Sequence, residues 1–221
     1  MLSPSRAAQL LALVTVLGGG SPALATPILA PVSATASSVD PFGGNPTNLI
    51  NQSDLSAPYT SGVTDFDTYV PSTTVGNASG IGVLGGAGAP PASFTFDLGG
   101  AISIDAIAIW NQFGTAALNT FTVQTSLLSD FSVAQTFGTF TMSVFGGSTS
   151  LHADVFTFPS TTAGFVRINA LTNAGFPSAV RMNEVALRES PAATVPEPAS
   201  FVLIGTGLLA VARRRFVARR R

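Results

Sequence analysis

The sequence predicts an all-β fold of the jelly-roll sandwich type, and three observations lead there. Only 10% of the 221 residues are charged, while 22 glycines and 15 prolines punctuate the chain. Long surface helices carry many Glu and Lys, so this balance favours short strands joined by turns. Apolar and polar residues alternate at period two in several runs, the pattern of half-buried strands, and no helix-length amphipathic period lies between Thr26 and Pro191. Seven or eight such runs, with turn signals every ~8–12 residues, suit two packed sheets.

The first element is an address. Arg6 gives a weak basic start, Ala7 to Leu17 an apolar run, and Gly18, Gly19, Gly20 and Pro22 break the helix. Ala23 and Ala25 present the small-x-small pattern that a signal peptidase accepts, so residues 1–25 are expected to form a signal peptide cut after Ala25. A buried N-terminal helix is the alternative.

The body is expected to span residues 26–190. Thr26 to Ser38 is an irregular lead-in, and Val39 to Pro91 is loop-like, with Gly43-Gly44, Asn45-Pro46 and a glycine-rich run from Gly80 to Gly88. Phe94, Phe96 and Leu98 then alternate with Ser93, Thr95 and Asp97 in a half-buried strand ended by Gly99-Gly100. The next strand, Ile102 to Asn111, is apolar on both faces in its second half, as a central strand would be. Further strands are expected around Phe121 and Val123, Val133 to Val144, Val155 to Phe158 before Pro159, Phe165 to Ile168, and Val180 to Leu187.

The last element, residues 191–221, is again an address. Val195-Pro196-Glu197-Pro198 precedes an apolar run, Ala199 to Ala212, and a basic end of Arg213, Arg214, Arg215, Arg219, Arg220 and Arg221. Two prolines bar helix at the boundary and keep an extended segment accessible. The run is short for a ~30 Å hydrocarbon core, and snorkelling arginines would complete the transmembrane helix. The positive-inside rule keeps those arginines in the cytoplasm and the body outside. A plain C-terminal anchor is the alternative.

Charge excludes several classes. The chain has no lysine and no cysteine. Disulfides, thiolate nucleophiles and Cys-bound zinc are therefore ruled out. Between Thr26 and Pro198 only Arg167, Arg181 and Arg188 face all eleven acidic residues, a formal −8. Such a body repels phosphate backbones, so nucleic acid is not an expected partner.

Catalytic candidates are sparse. His152 is the one histidine and has no G-x-S-x-G elbow to serve. Asp65 and Asp67 could act as a carboxylate pair in an envelope glycan hydrolase, although an i, i+2 acidic pair in a loop is more often solvated or ion-binding. Trp110, Asn111 and Phe113 are the ligand-binding candidates, since aromatic faces stack on sugar rings and amides bond hydroxyls. For Trp110 core packing is the competing assignment.

Two resemblances complete the expectation. Val195 to Arg221 resembles the PEP-CTERM sorting signal of Gram-negative bacteria, which implies export through the inner membrane, C-terminal anchoring and handling by an exosortase, with surface or extracellular delivery after processing. Within the body, Phe94 to Gly99, Ile102 to Asn111, Phe121 to Ser126, Phe165 to Ile168 and Asn183-Glu184-Val185 resemble, in that order, the galactose-binding-like, discoidin-type domain. That resemblance implies a jelly-roll sandwich binding carbohydrate. It also implies a structural calcium joining Asn51 and Asp54 of an early loop to Glu184 near the last strand. An Asx-turn formed by Asn51 and Asp54, with Glu184 ion-paired to Arg181 or Arg188, is the competing assignment. The expected function is a non-enzymatic surface or matrix protein that binds carbohydrate or exopolysaccharide, and a purely structural or adhesive matrix protein is the alternative.

Overall fold

Two long strands organise the body, β5 (Ala92–Asn111) and β9 (Asp154–Asn173), each of 20 residues. The computed structural model describes residues 25–76, 85–143 and 150–190. Residues 1–24 with Ala23, the Val195–Pro198 motif, the apolar run 199–212 and the terminal arginines lie outside them. Among the described residues no helix is long and apolar enough to cross a membrane.

In chain order the remaining elements are β1 (Ile28–Leu29), β2 (Ser33–Ala36), a 3-10 helix (Pro46–Ile50), α1 (Phe66–Ser72), β3 (Thr74–Gly76), β4 (Gly85–Gly88), β6 (Leu118–Ser126), β7 (Ala134–Thr141), β8 (Ser150–His152) and β10 (Ala179–Glu189). The early stretch expected to be loop therefore holds two short helices and two strands. Their signals are turn-scale: Asn45 caps the 3-10 helix through Thr47 N–H, and Asp65 caps α1 through Thr68 N–H.

The two long strands bend, and the bends make a sandwich from one hydrogen-bonded path. The first half of β5 pairs with β2 and with the second half of β9, which passes on to β6 and β7. The second half of β5 pairs with β10 and with the first half of β9. The strand expected to stop at Gly99-Gly100 instead continues through a register shift between Asp97 and Ile102, with Gly99 at φ +76° in the left-handed region glycine tolerates. Pro159, also expected to end a strand, sits inside β9 at the register shift between the Thr161–Ile104 and Thr157–Ala106 pairs. A proline's missing N–H is tolerated at such an irregularity.

Phe94, Phe96, Phe121, Val123, Val166 and Ile168 of one layer meet Ile104, Ile107, Ile109, Phe158, Val185 and Leu187 of the other in the main core. Rings bridge the layers: Phe121 meets Phe156 edge-on at 5.0 Å, and Phe137 stacks on Phe158 at 4.6 Å. The register shift between Thr122 and Val123 of β6 accommodates Gly138, so that Phe137 and Phe140 of β7 both reach this core.

A second core lies on the opposite face of β5 and β10. Ala106, Ala108, Trp110 and Ala186 pack there under Phe66, Tyr69 and Val70 of α1 with Val75 and Leu151. The expectation of a central strand buried on both faces holds, and α1 with the β3–β8 pair is what covers the second face.

Asp40 and Arg181 close one end. The Arg181 guanidinium donates through Nε and Nη2 to the Asp40 carboxylate, whose side chain is fully shielded from solvent. Burial alone would push the Asp40 carboxyl up, but the Arg181 hydrogen bonds and charge, with the Phe42 and Gly44 N–H groups, hold it below the ordinary carboxylate range. A depressed pKa stabilises the fold above the unfolded value of about 3.9 and is lost as pH falls through the lower folded value. Arg181→Met is expected to cost about 3–5 kcal/mol at neutral pH by leaving a buried carboxylate unpaired. Its denaturant midpoint should then depend less on pH over the acid limb than the wild type's. Equal acid limbs would show that the pair carries no such linkage.

Candidate functional site

The bulge between Met182 and Glu184 of β10 sets the first cluster. Glu184 is buried opposite Trp110, and its Oε2 accepts the Gln52 N–H at 3.0 Å. Its other oxygen, Oε1, is buried with no hydrogen-bond partner, and so is Asp54 Oδ2. Burial, opposed by the Gln52 N–H and reinforced by the Asp54 charge, pushes the Glu184 carboxyl up to about 8. Burial likewise raises Asp54, and burial with the Glu184 charge raises the phenol of Tyr59, whose hydroxyl also lacks a partner. Orphaned acceptors from two carboxylates on one buried locus are what a hard cation would satisfy.

Asn51 does not join them. It is exposed, its Oδ1 accepts Ser53 N–H at 2.9 Å in an Asx-turn, and its Nδ2 donates to Asn48 at 3.1 Å. The ion pairs considered for Glu184 are not made. Arg181 holds Asp40, and Arg188 holds Asp67 at 3.0 Å and Asp105 at 2.7 Å. Among the described residues no group of three or more His, Cys, Asp or Glu is placed to hold a metal, so further ligands for a cation here would be carbonyls and water. Gln52 is a further residue of this cluster, and no motif marks it in the sequence. It adopts φ +59°, and its Oε1 accepts Tyr59 N–H at 2.8 Å, which fixes the loop against Glu184.

Three loops meet at the end where Arg181 sits. Phe176 N–H donates to Thr115 O, Ala174 N–H to Ala117 O, and Arg181 N–H to Ala116 O, which ties the 112–117 loop to the loop after β9. The 39–46 loop joins them through Asp40, and the Arg181 guanidinium lies 5.4 Å over the Phe42 ring, itself 5.5 Å from Phe176. A Cβ on Gly44 or Gly86 would come within 2.4 Å of Asp40 Oδ2, so both glycines are needed for that carboxylate to sit where it does. Beside it runs an open cleft of about 370 Å³ edged by Ser38, Val39, Asn45 and Gly86. Phe42 and Phe113 stand out of these loops, 47% and 40% exposed.

Two of the expected ligand residues are structural instead. Trp110 is completely buried in the second core and its indole N–H donates to Thr73 O at 3.1 Å, so no ring face is open to a sugar. Asn111 is buried as well. It bonds the carbonyl and N–H of Leu118 and the N–H of Gln112, closing the loop between β5 and β6. Phe113, two residues on, keeps an exposed ring. Asp65 and Asp67 are engaged too, the first as the α1 cap and the second with Arg188. His152 is exposed on β8.

Comparison with known proteins bears on both parts of the chain. Residues 194–215 match the family model for the PEP-CTERM protein-sorting motif. The chain carries a PEP-CTERM sorting signal. This signal implies export. The body resembles a fucose binding module from Streptococcus pneumoniae at TM-score 0.50 and 14% identity, covering 78% of this chain and all (100%) of that one. It also resembles a truncated AlyQ with CBM32 and alginate lyase domains at TM-score 0.50 and 17% identity, covering 76% of this chain and 34% of that one. At these identities the likeness is one of fold, and the fold is the galactose-binding-like β-sandwich. No curated protein matches the chain.

Proposed function

We propose that this is an exported, non-enzymatic surface or extracellular-matrix protein whose sandwich binds carbohydrate, including exopolysaccharide. The observation that carries the proposal is the loop end, where the exposed rings of Phe42 and Phe113 stand on loops that buried polar contacts hold in place. Exposed aromatics on rigid loops offer sugar rings a stacking surface without an ordering cost. The cleft beside Asp40 adds peptide and amide groups for hydroxyls. The fold is shared with a module that binds fucose and with one joined to an alginate lyase, which supports binding as the use of this scaffold.

The sorting signal supports the route. Signal peptidase removes the leader, the C-terminal run holds the chain in the inner membrane of a Gram-negative cell, and an exosortase-type enzyme acts at the Pro-Glu-Pro segment. The body then reaches the cell surface or matrix. The hydrolase alternative loses its carboxylate pair, because Asp65 and Asp67 are committed to a helix cap and an ion pair.

Calcium fits the locus between Asp54 and Glu184. Bound there it would neutralise the buried Glu184 and half-buried Asp54 carboxylates and staple the 51–54 loop to β10, a role disulfides cannot fill in a chain without cysteine.

Two measurements test the proposal. On a glycan array followed by calorimetry, the full chain should bind at least one neutral glycan saturably. Phe42→Ala and Phe113→Ala should each weaken that binding about 5- to 30-fold, the equivalent of about 1–2 kcal/mol per lost anchor. Silence across the array would favour a structural matrix protein with no defined ligand. For the ion, calcium at about 100 times Kd should stabilise the fold by about 2.7 kcal/mol. Glu184→Gln should abolish the uptake while leaving the calcium-free protein at least as stable, since burial already keeps the Glu184 carboxyl largely protonated near neutral pH and the amide replaces it without a charge to desolvate. No uptake by the wild type, or equal uptake by the variant, would remove calcium from the account.

A further inference from the structure

The residue that signal cleavage would make the first of the mature chain, Thr26, is buried against two carboxylates. Its backbone nitrogen lies 3.1 Å from Asp65 Oδ2, and its hydroxyl donates to Asp67 Oδ2 at 2.8 Å and to Asp65 Oδ2 at 3.3 Å. Its carbonyl accepts Phe66 N–H at 2.7 Å, so the first turn of α1 grips the residue from both sides. Pro27 forms a bridge to Asp65 and takes Glu189 N–H on its carbonyl, and Ile28 enters β1 beside β10.

We propose that the Asp65–Asp67 pair is a binding site for the chain's own α-ammonium group, created when hydrolysis of the Ala25–Thr26 bond frees the Thr26 nitrogen. One water is consumed, Ala25 leaves with the new carboxylate, and Thr26 keeps the new amine. The nitrogen that donates to Asp65 as an uncharged amide in the precursor becomes a cation with three donors at the same place.

Charge counting gives the reason. Asp65, Thr26, Asp67, Arg188 and Asp105 form one hydrogen-bonded chain. In the precursor Arg188 alone faces three carboxylates there. The freed ammonium supplies a second cation between the two acids that Arg188 serves least: Asp65, which Arg188 does not touch, and Asp67, which is bonded to it through Oδ1 only. The N–H of Thr26, with the Thr68 hydroxyl and N–H, already holds the Asp65 carboxyl below its ordinary value, so a full charge stands ready to meet it. Processing would thus stabilise the folded body, and the precursor would remain the looser form during export. This also gives the i, i+2 acidic pair a purpose other than catalysis.

The lysine-free sequence makes the test clean, because the α-amine is the chain's only amine. Mass spectrometry of the exported full chain should find Thr26 as the first residue. Acetylation by an N-hydroxysuccinimide ester near neutral pH should be at least tenfold slower in the native protein than in denaturant. Asp65→Asn should remove most of that protection, and since Asp65 also caps α1, Asp67→Asn serves as the second variant.

Protein acetylated in denaturant and refolded should melt several degrees lower than the free-amine form. Carboxylate neighbours raise the folded pKa of the amine above its unfolded value of about 7.7–8.0. The difference should therefore be complete below that value and disappear as pH rises through the folded one. A different mature first residue, native acetylation as fast as in denaturant, or equal melting of the two forms would each overturn the proposal.

Discussion

The structure depends on one constraint: the second half of β5 and its partner β10 are buried on both faces. Ile107, Ile109, Val185 and Leu187 turn to the main core while Ala106, Ala108, Trp110 and Ala186 turn to the second. A strand pair flanked by apolar layers on both sides cannot slip by one residue without moving every side chain to a wrong but equally buried environment. Shape then sets the register, small alanines lying under α1 and branched side chains lying in the sandwich. The functional features hang from the ends of this pair. Asn111 closes the loop that displays Phe113, Arg181 anchors the loop that displays Phe42, and Glu184 sits at the bulge.

Buried polar groups do specific work around that frame. The Asp40–Arg181 pair is shielded and joined by two hydrogen bonds, with the Phe42 N–H on the same carboxylate, so its cost is offset by the loop it fixes. Glu184 and Asp54 are the opposite case, with acceptors left over. The contrast separates a polar contact that completes the fold from one with acceptors to spare, which is where we propose the cation. In a body carrying ten acids and three arginines, two of the three arginines are committed to carboxylates. The third, Arg167, lies 3.7 Å over the Phe131 ring.

Much of the fold was legible because period two is a strong signal when one face is buried. Phe94, Phe96 and Leu98 are buried in that order, and the double-faced stretch after Asp105 was visible as a loss of alternation. What could not be read depended on distant partners. Gly99-Gly100 and Pro159 look like strand ends locally, yet both long strands run through them, because neighbours elsewhere in the sheet keep the ladder going. The short α1 carries Pro71 and only seven residues, too few to show a helical period.

The site was less legible than the fold. Trp110 has the chemistry of a sugar platform, and only tertiary burial under α1 removes it from that role. Gln52 and Phe42 carry no motif at all, and their importance comes from a positive φ and from a guanidinium supplied by β10, far along the chain.

The most direct test of the central claim is to follow the chain by mass spectrometry through the membrane, soluble extracellular and polysaccharide fractions of its host, with and without Glu197→Ala. The account predicts a body released from the membrane, ending near the sorting motif and co-purifying with polysaccharide, with release lost in the variant. An intact chain through Arg221 that stays in the membrane and never associates with polysaccharide would contradict it.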